Sequence, residues 1–134
     1  MIILYIDDDE DDLEIFQAAI GEVDPSCQYF QASDGKNGLN TLESITPDYI
    51  FLDVNMPCMD GIEVLETIRA DRHLRDIPVI MFSTSIRPED ELLYRRKGAN
   101  GCILKPNSFK QLCKILRSLV PAAVYTNEGK WLRK

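Results

Sequence analysis

Short apolar runs near residues 2–6, 28–32, 49–53, 78–82 and 101–104 alternate with stretches of helical spacing, and this rhythm limits the chain to few folds. Parallel strands need a crossover, usually a helix, and the crossover is right-handed. Five such strands with five helices predict a doubly wound α/β domain with a parallel sheet. In these sheets ligands sit at the carboxyl ends of the strands.

The helical stretches bury stripes at spacings of three and four: Leu13, Phe16 and Ile20 first, and Phe109, Leu112, Cys113, Leu116 and Val120 last. Between them come Leu39, Leu42 and Ile45, then Ile62, Leu65 and Ile68, then Leu92 with Leu93 before Gly98. These stripes are expected to pack the core and carry no chemistry. Asp-Gly at 34 and 60, Pro47, Pro78 and Gly98 mark the boundaries.

At 134 residues the chain suits one domain with a core of its own. Its apolar runs are far shorter than the roughly 20 residues of a membrane-spanning helix, and its start lacks the basic segment and cleavage site of a secretory signal. A cytoplasmic protein with no membrane association is expected. The net charge of −7 argues against direct nucleic-acid binding, which depends on Lys and Arg neutralising phosphates. Cys27, Cys58, Cys102 and Cys113 lack paired spacing and read as reduced packing residues rather than zinc ligands.

Chemistry concentrates at the ends of the runs. Asp7 and Asp8 close the first, Asp53 the third; Ser83 and Thr84 follow the fourth and Lys105 the fifth. Ionised carboxylates placed side by side in an apolar setting are costly unless a cation or proton compensates. The three aspartates therefore imply a hard metal ion. The topological rule brings Asp7, Asp8, Asp53, Ser83 and Lys105 to one edge of the sheet.

Residues 3–9 (ILYIDDD), 47–61 (PDYIFLDVNMPCMDG) and 104–106 (LKP) resemble, in order and spacing, the receiver domain of bacterial two-component response regulators. The resemblance covers about residues 1–120, leaving 121–134 as a C-terminal tail. It implies a flavodoxin-like fold with strand order 2-1-3-4-5. It further implies that Asp53 is the phosphoacceptor, that Asp8 binds Mg²⁺ directly with Asp7 near the metal, and that Asn55 offers its backbone carbonyl. Ser83 and Lys105 would contact the phosphoryl oxygens, Thr84 and Ser85 would modulate access and phosphate loss, and the bond before Pro106 is a cis-proline candidate.

These residue types suit the chemistry on independent grounds. A carboxylate attacks phosphorus when a metal neutralises its neighbours and the transferring oxygens, and phosphoryl transfer rests on positioning and charge stabilisation. One departure stands out. Receivers commonly carry an aromatic switch residue three positions before the lysine, where this chain has Cys102; a switch through Ser83 and the loop after the fourth strand is expected instead. With Ser85 lacking an acid or amide, no specialised rapid self-dephosphorylation is expected.

Only segment 121–134 follows the receiver-like part, so output is expected through protein contact. The resemblance implies a sensor histidine kinase as donor and a target protein or a histidine phosphotransfer protein as recipient. The tail, with Tyr125 and Trp131, could pack, bind a partner or support a homodimer. The sole histidine, His73, lies in a polar loop at 71–76 and is a poor candidate for a phosphorelay donor; that segment is compatible with the extended loop after the third helix of receivers serving phytochrome-type kinases. Each molecule would modify itself once, which makes a signalling protein rather than an enzyme. Two alternatives remain at this point: a pseudo-receiver that binds without phosphorylation, and a phosphohydrolase of the haloacid dehalogenase type.

Overall fold

The computed structural model describes residues 1–119 and the backbone of 132–133. Strands β1 (Ile2–Ile6), β2 (Gln28–Ala32), β3 (Tyr49–Asp53), β4 (Val79–Ser83) and β5 (Gly101–Leu104) alternate with helices α1 (Glu10–Val23), α2 (Gly35–Thr41), α3 (Gly61–Ala70), α4 (Pro88–Arg96) and α5 (Phe109–Leu119). The strands pair in parallel in the order β2-β1-β3-β4-β5, the expected arrangement. A two-residue strand, β6 (Leu132–Arg133), adds to the outer edge of β5, pairing Leu132 with Gly101 and Arg133 with Cys102. Val120, Tyr125, Trp131 and the remainder of 121–134 apart from that backbone lie outside the described residues.

Side chains two apart along a strand share a face, and this sorts the core into two layers. Leu4, Ile6, Ile50, Leu52, Val79, Met81 and Cys102 pack toward Val64, Leu65, Ile68 and Tyr94. Ile3, Tyr5, Tyr49, Phe51, Ile80, Phe82 and Ile103 pack toward Leu13, Phe16, Ile20, Leu112 and Leu116. Phe16 lies at the heart of the second layer, its ring 4.3 Å from that of Tyr5 and 5.0 Å from that of Phe51. Every residue of β3 and β4 is buried, as central parallel strands covered on both faces require.

Several helix assignments shift. Leu92 and Leu93 are exposed and Tyr94 takes the buried position on α4, because the chain reaches the sheet again through Tyr94 and Ala99, whose N–H bonds the Tyr94 carbonyl at 2.9 Å. Phe109 is exposed at the first turn of α5, and the buried face of that helix starts at Leu112. Ile45 falls beyond α2, which stops at Thr41. The fourth strand begins at Val79 and includes Ser83, one residue later than the apolar run suggests, since Pro78 lacks the N–H a ladder needs.

Two glycines are dictated by the fold near the sheet's ends. A Cβ at Gly61 would stand 2.3 Å from the carbonyl oxygen of Asp53, while the Gly61 N–H bonds the Val54 carbonyl at 2.9 Å. Gly61→Ala is therefore expected to force apart the backbone that carries Asp53, lowering stability by about 2 kcal/mol on the scale of overpacking; urea unfolding checks it. Gly98 has φ of 100° at the end of α4, a conformation glycine adopts without penalty. Its carbonyl accepts from Arg69 Nε at 2.8 Å, and the same guanidinium reaches the Ile77 carbonyl and Asn100 Oδ1, which ties α3 to the start of β5.

Candidate functional site

Asp7 directly follows β1, Asp53 is the last residue of β3, Ser83 the last of β4, and Lys105 follows β5, so four separate strand ends deliver the site. A carboxylate oxygen from each of Asp7, Asp8 and Asp53 lies within 4.8 Å of the others. Asp7 and Asp53 are buried and Asp8 is exposed. The acidic loop is held by Asp9, the N-cap of α1, whose side chain accepts from the N–H groups of Asp11 and Asp12. Such capping satisfies helix N–H groups that lack intrahelical partners.

Lys105 lies among these acids. Its Nζ stands 2.7 Å from Asp7 Oδ2, 2.8 Å from Asp12 Oδ2 and 3.3 Å from Asp53 Oδ1. Burial alone would lower the lysine pKa, but hydrogen bonds to Asp12 and Asp7 and the charge of Asp53 outweigh it and raise the value. The Tyr5 hydroxyl donates to the same Asp7 oxygen that Lys105 contacts, and the Asp9 N–H donates to Asp7 Oδ1 at 3.0 Å. Burial, then the neighbouring Asp7 charge, pushes the Tyr5 hydroxyl pKa up, so Tyr5 remains a donor.

Asp53 feels burial first and Asp7 second, and together they override Lys105 and push its pKa up to about 6. This is the electrostatic state of a carboxylate awaiting more positive charge than one lysine supplies. The donor set, three carboxylates within reach of a single ion, fits a hard divalent cation that prefers oxygen.

The other expected residues take varied places. Ser83 is buried, and its hydroxyl donates to the Ser85 carbonyl at 3.0 Å while accepting from the Ser85 N–H at 3.3 Å. Its side chain is thus engaged with its own loop. Thr84 is exposed and lines an open groove of about 720 Å³ that also touches Leu104, Lys105, Pro106 and Asn107. Ser85 and Asn55 are exposed. Cys102 is buried in the layer beneath α3 and α4, on the opposite face of the sheet from Tyr5.

The bond before Pro106 is a correction. No cis peptide occurs among the described residues, so the cis-proline expectation at Pro106 is not met. Trans is favoured at most X–Pro bonds, and Lys105 reaches inward through its ion pairs with three carboxylates. Cys27, Cys58, Cys102 and Cys113 form no disulfide among the described residues.

The motif reading left out Asp12 and Tyr5, which complete the site. Both had a legible signal. Period-two alternation along β1 puts Tyr5 on the face of Asp7, and Asp12 precedes Leu13 and sits four residues before Phe16, at the margin of the buried stripe of α1.

The family model of the response regulator receiver domain matches residues 3–117. The nitrate/nitrite response regulator protein NarL of Escherichia coli is 35% identical over 99 residues, covering 74% of this chain and 45% of NarL, so the chain spans about half the length of that relative. The phosphorylated cyanobacterial phytochrome response regulator RcpA superposes with a TM-score of 0.83 at 29% identity, covering 93% of this chain and 94% of RcpA. Chemotaxis response regulator CheY4 of Vibrio cholerae gives a TM-score of 0.78 at 26% identity, covering 88% of this chain and 97% of its own. The Mn²⁺-bound response regulator Rcp1 gives 0.76 at 27% identity, with coverage of 88% and 90%. With its acids, hydroxyl and lysine gathered at one edge of a five-helix parallel-sheet domain, and with a family match across most of its length, the chain belongs to the response regulator receiver domains of two-component systems.

Proposed function

We propose that the protein is a phosphorylated switch: Asp53 accepts a phosphoryl group from a sensor histidine kinase, and the modified domain signals by contact with a target protein or passes the group to a histidine phosphotransfer protein. The observation that carries this reading is the meeting of Asp7, Asp8 and Asp53 within 4.8 Å beside Lys105. Asp8 and Asp53, with Asp7 close by and the Asn55 backbone carbonyl, are the residues that would hold Mg²⁺. When bound, Mg²⁺ neutralises the crowded carboxylates and the transferring oxygens.

Asp53 is the nucleophile. One of its oxygens forms a bond to phosphorus as the bond from phosphorus to the donor histidine nitrogen breaks, and the departing imidazole keeps that electron pair. Lys105 offers an ammonium to the phosphoryl oxygens. Ser83 would exchange its bond to the Ser85 carbonyl for one to the phosphoryl group, and the attached loop 84–87 would follow, carrying the start of α4. Thr84 and Ser85 border the route by which donors and water arrive.

The phosphorylated state named for RcpA and the metal named for Rcp1 support this reading by similarity. The family's signalling role supports a protein that is not a turnover enzyme and leaves the haloacid dehalogenase alternative without support. No helix among the described residues is long and apolar enough to cross a membrane; a cytoplasmic place, action without DNA contact, operation as a stand-alone receiver and a homodimer involving the tail belong to the proposal.

The test is the intact mass of the protein after incubation with acetyl phosphate and Mg²⁺, and with phosphorylated cognate kinases. One added phosphoryl group, absent without Mg²⁺ and absent in Asp53→Asn, is the expected result. No adduct from either donor would instead mark a pseudo-receiver.

A further inference from the structure

We infer that Asp12 is a positioning residue that holds Lys105 in the unphosphorylated protein and gives it up when Asp53 carries a phosphoryl group. The inference rests on Asp53 as acceptor and adds a residue and a step to that reading. An ammonium has three donors. Two of them are engaged at 2.7 Å with Asp7 and 2.8 Å with Asp12, whereas Asp53 Oδ1 stands at 3.3 Å. A charge-assisted bond to a phosphoryl oxygen forms at about 2.7–2.9 Å. A third donor remains for Asp53, but shortening the 3.3 Å separation to that range moves the ammonium toward Asp53 and stretches the contact to whichever partner can release it.

Asp7 and Asp12 differ in how well they tolerate that departure. The side chain of Asp7 has no solvent exposure, and both of its oxygens are tied, one to Tyr5 and one to the Asp9 N–H. It cannot follow the lysine or rehydrate. The side chain of Asp12 is 32% exposed and sits in the first turn of α1, where unpaired N–H groups favour a negative charge. Water can replace Lys105 there. Asp12 is thus the partner that lets go, and its pull sets how much free energy is lost when the lysine moves.

Removing that pull has opposite consequences for the two ligands of the site. In Asp12→Asn, Lys105 stays with Asp7 and Asp53, where it competes with an incoming cation, and the site also loses one negative charge. Mg²⁺ should bind more weakly. A phosphoryl mimic on Asp53, added at saturating Mg²⁺, should bind more tightly because Lys105 no longer has to be drawn off.

Calorimetric titration of the full chain with Mg²⁺, and then with beryllofluoride at saturating Mg²⁺, tests this in wild type, Asp12→Asn and Asp12→Glu. For Asp12→Asn the expected result is Mg²⁺ affinity down and beryllofluoride affinity up, each by roughly threefold to fivefold, the scale of a partly exposed ion pair. Asp12→Glu should restore both toward wild type. In a Lys105→Met background, adding Asp12→Asn should leave beryllofluoride affinity unchanged. A parallel loss of both affinities, as from a merely structural role, or no change in either, would overturn the role of Asp12. A wild-type protein that binds neither ligand would overturn the acceptor reading along with it.

Discussion

Lys105→Met is expected to lower the metal-free stability at pH 7 by about 3 kcal/mol, the scale on which removal of one partner from a buried ion pair destabilises a protein. The lysine side chain is 11% exposed and Asp7 has no exposure, so the substitution strands carboxylates that water cannot reach. Methionine preserves much of the aliphatic packing, which isolates the loss of charge. Millimolar Mg²⁺ should recover more stability in the variant than in wild type, because the cation then has no ammonium to displace. The deficit should also be smaller at pH 5 than at pH 7, since Asp53, already raised to about 6, can take up a proton in place of the lost charge. Urea unfolding with EDTA and with Mg²⁺ at both pH values checks each part. Equal deficits in all four conditions would mean that Lys105 contributes packing alone.

Asp53→Asn should act in the opposite direction and stabilise the metal-free protein at pH 7 by about 3 kcal/mol. The sign follows from the raised pKa. An unfolded chain releases this proton near the ordinary value of 3.8, whereas the folded protein keeps it until about 6. Between those values the folded state binds more protons, so the stability contributed by Asp53 is present below about pH 4 and is lost as pH rises through 6. The amide has no proton to release and the cost disappears. The difference in stability between variant and wild type should therefore be small at pH 4, grow through pH 6 and level off above it. Saturating Mg²⁺ should shrink or reverse that difference at pH 7, because wild type binds the cation with a carboxylate the variant lacks. A variant less stable than wild type at pH 7 without metal would contradict the electrostatic account.

These two substitutions pull apart roles that look alike in a list of motif residues. Lys105 compensates charge and Asp53 carries an excess of it, and the site is balanced so that a cation and a phosphoryl group complete it. Asp12 and Tyr5 modify that balance without belonging to the motif. Tyr5 locks Asp7 in place, and Asp12 draws Lys105 to one side.

Much of the architecture could be read from local pattern. The bounds of β1, β2, β3 and β5 agree with the apolar runs because β-branched and aromatic residues bounded by turns have few alternatives over so short a length. The stripes of α1 and α3 also hold, since each helix buries one face against the sheet. Pattern failed where the amphipathic signal was shallow or lay at an element's end. Leu92 and Leu93 look like core residues, yet α4 rests on the sheet through Tyr94. Phe109 begins α5 but stays exposed, and the buried face starts only at Leu112.

What the sequence determined by itself is the rhythm of strand and helix, and with it the arrival of Asp7, Asp8, Asp53, Ser83 and Lys105 at one edge. Side-chain periodicity is local, and the handedness of crossovers leaves little freedom in joining the strands. What only the tertiary structure decided is which partner each group holds there. Lys105 lies 98 residues from Asp7 and 93 from Asp12 along the chain, and no periodicity spans such separations. Its partners, the inward lock of Tyr5 on Asp7 and the turn of Ser83 toward its own loop depend on burial and charge that exist only once the strand ends have been assembled.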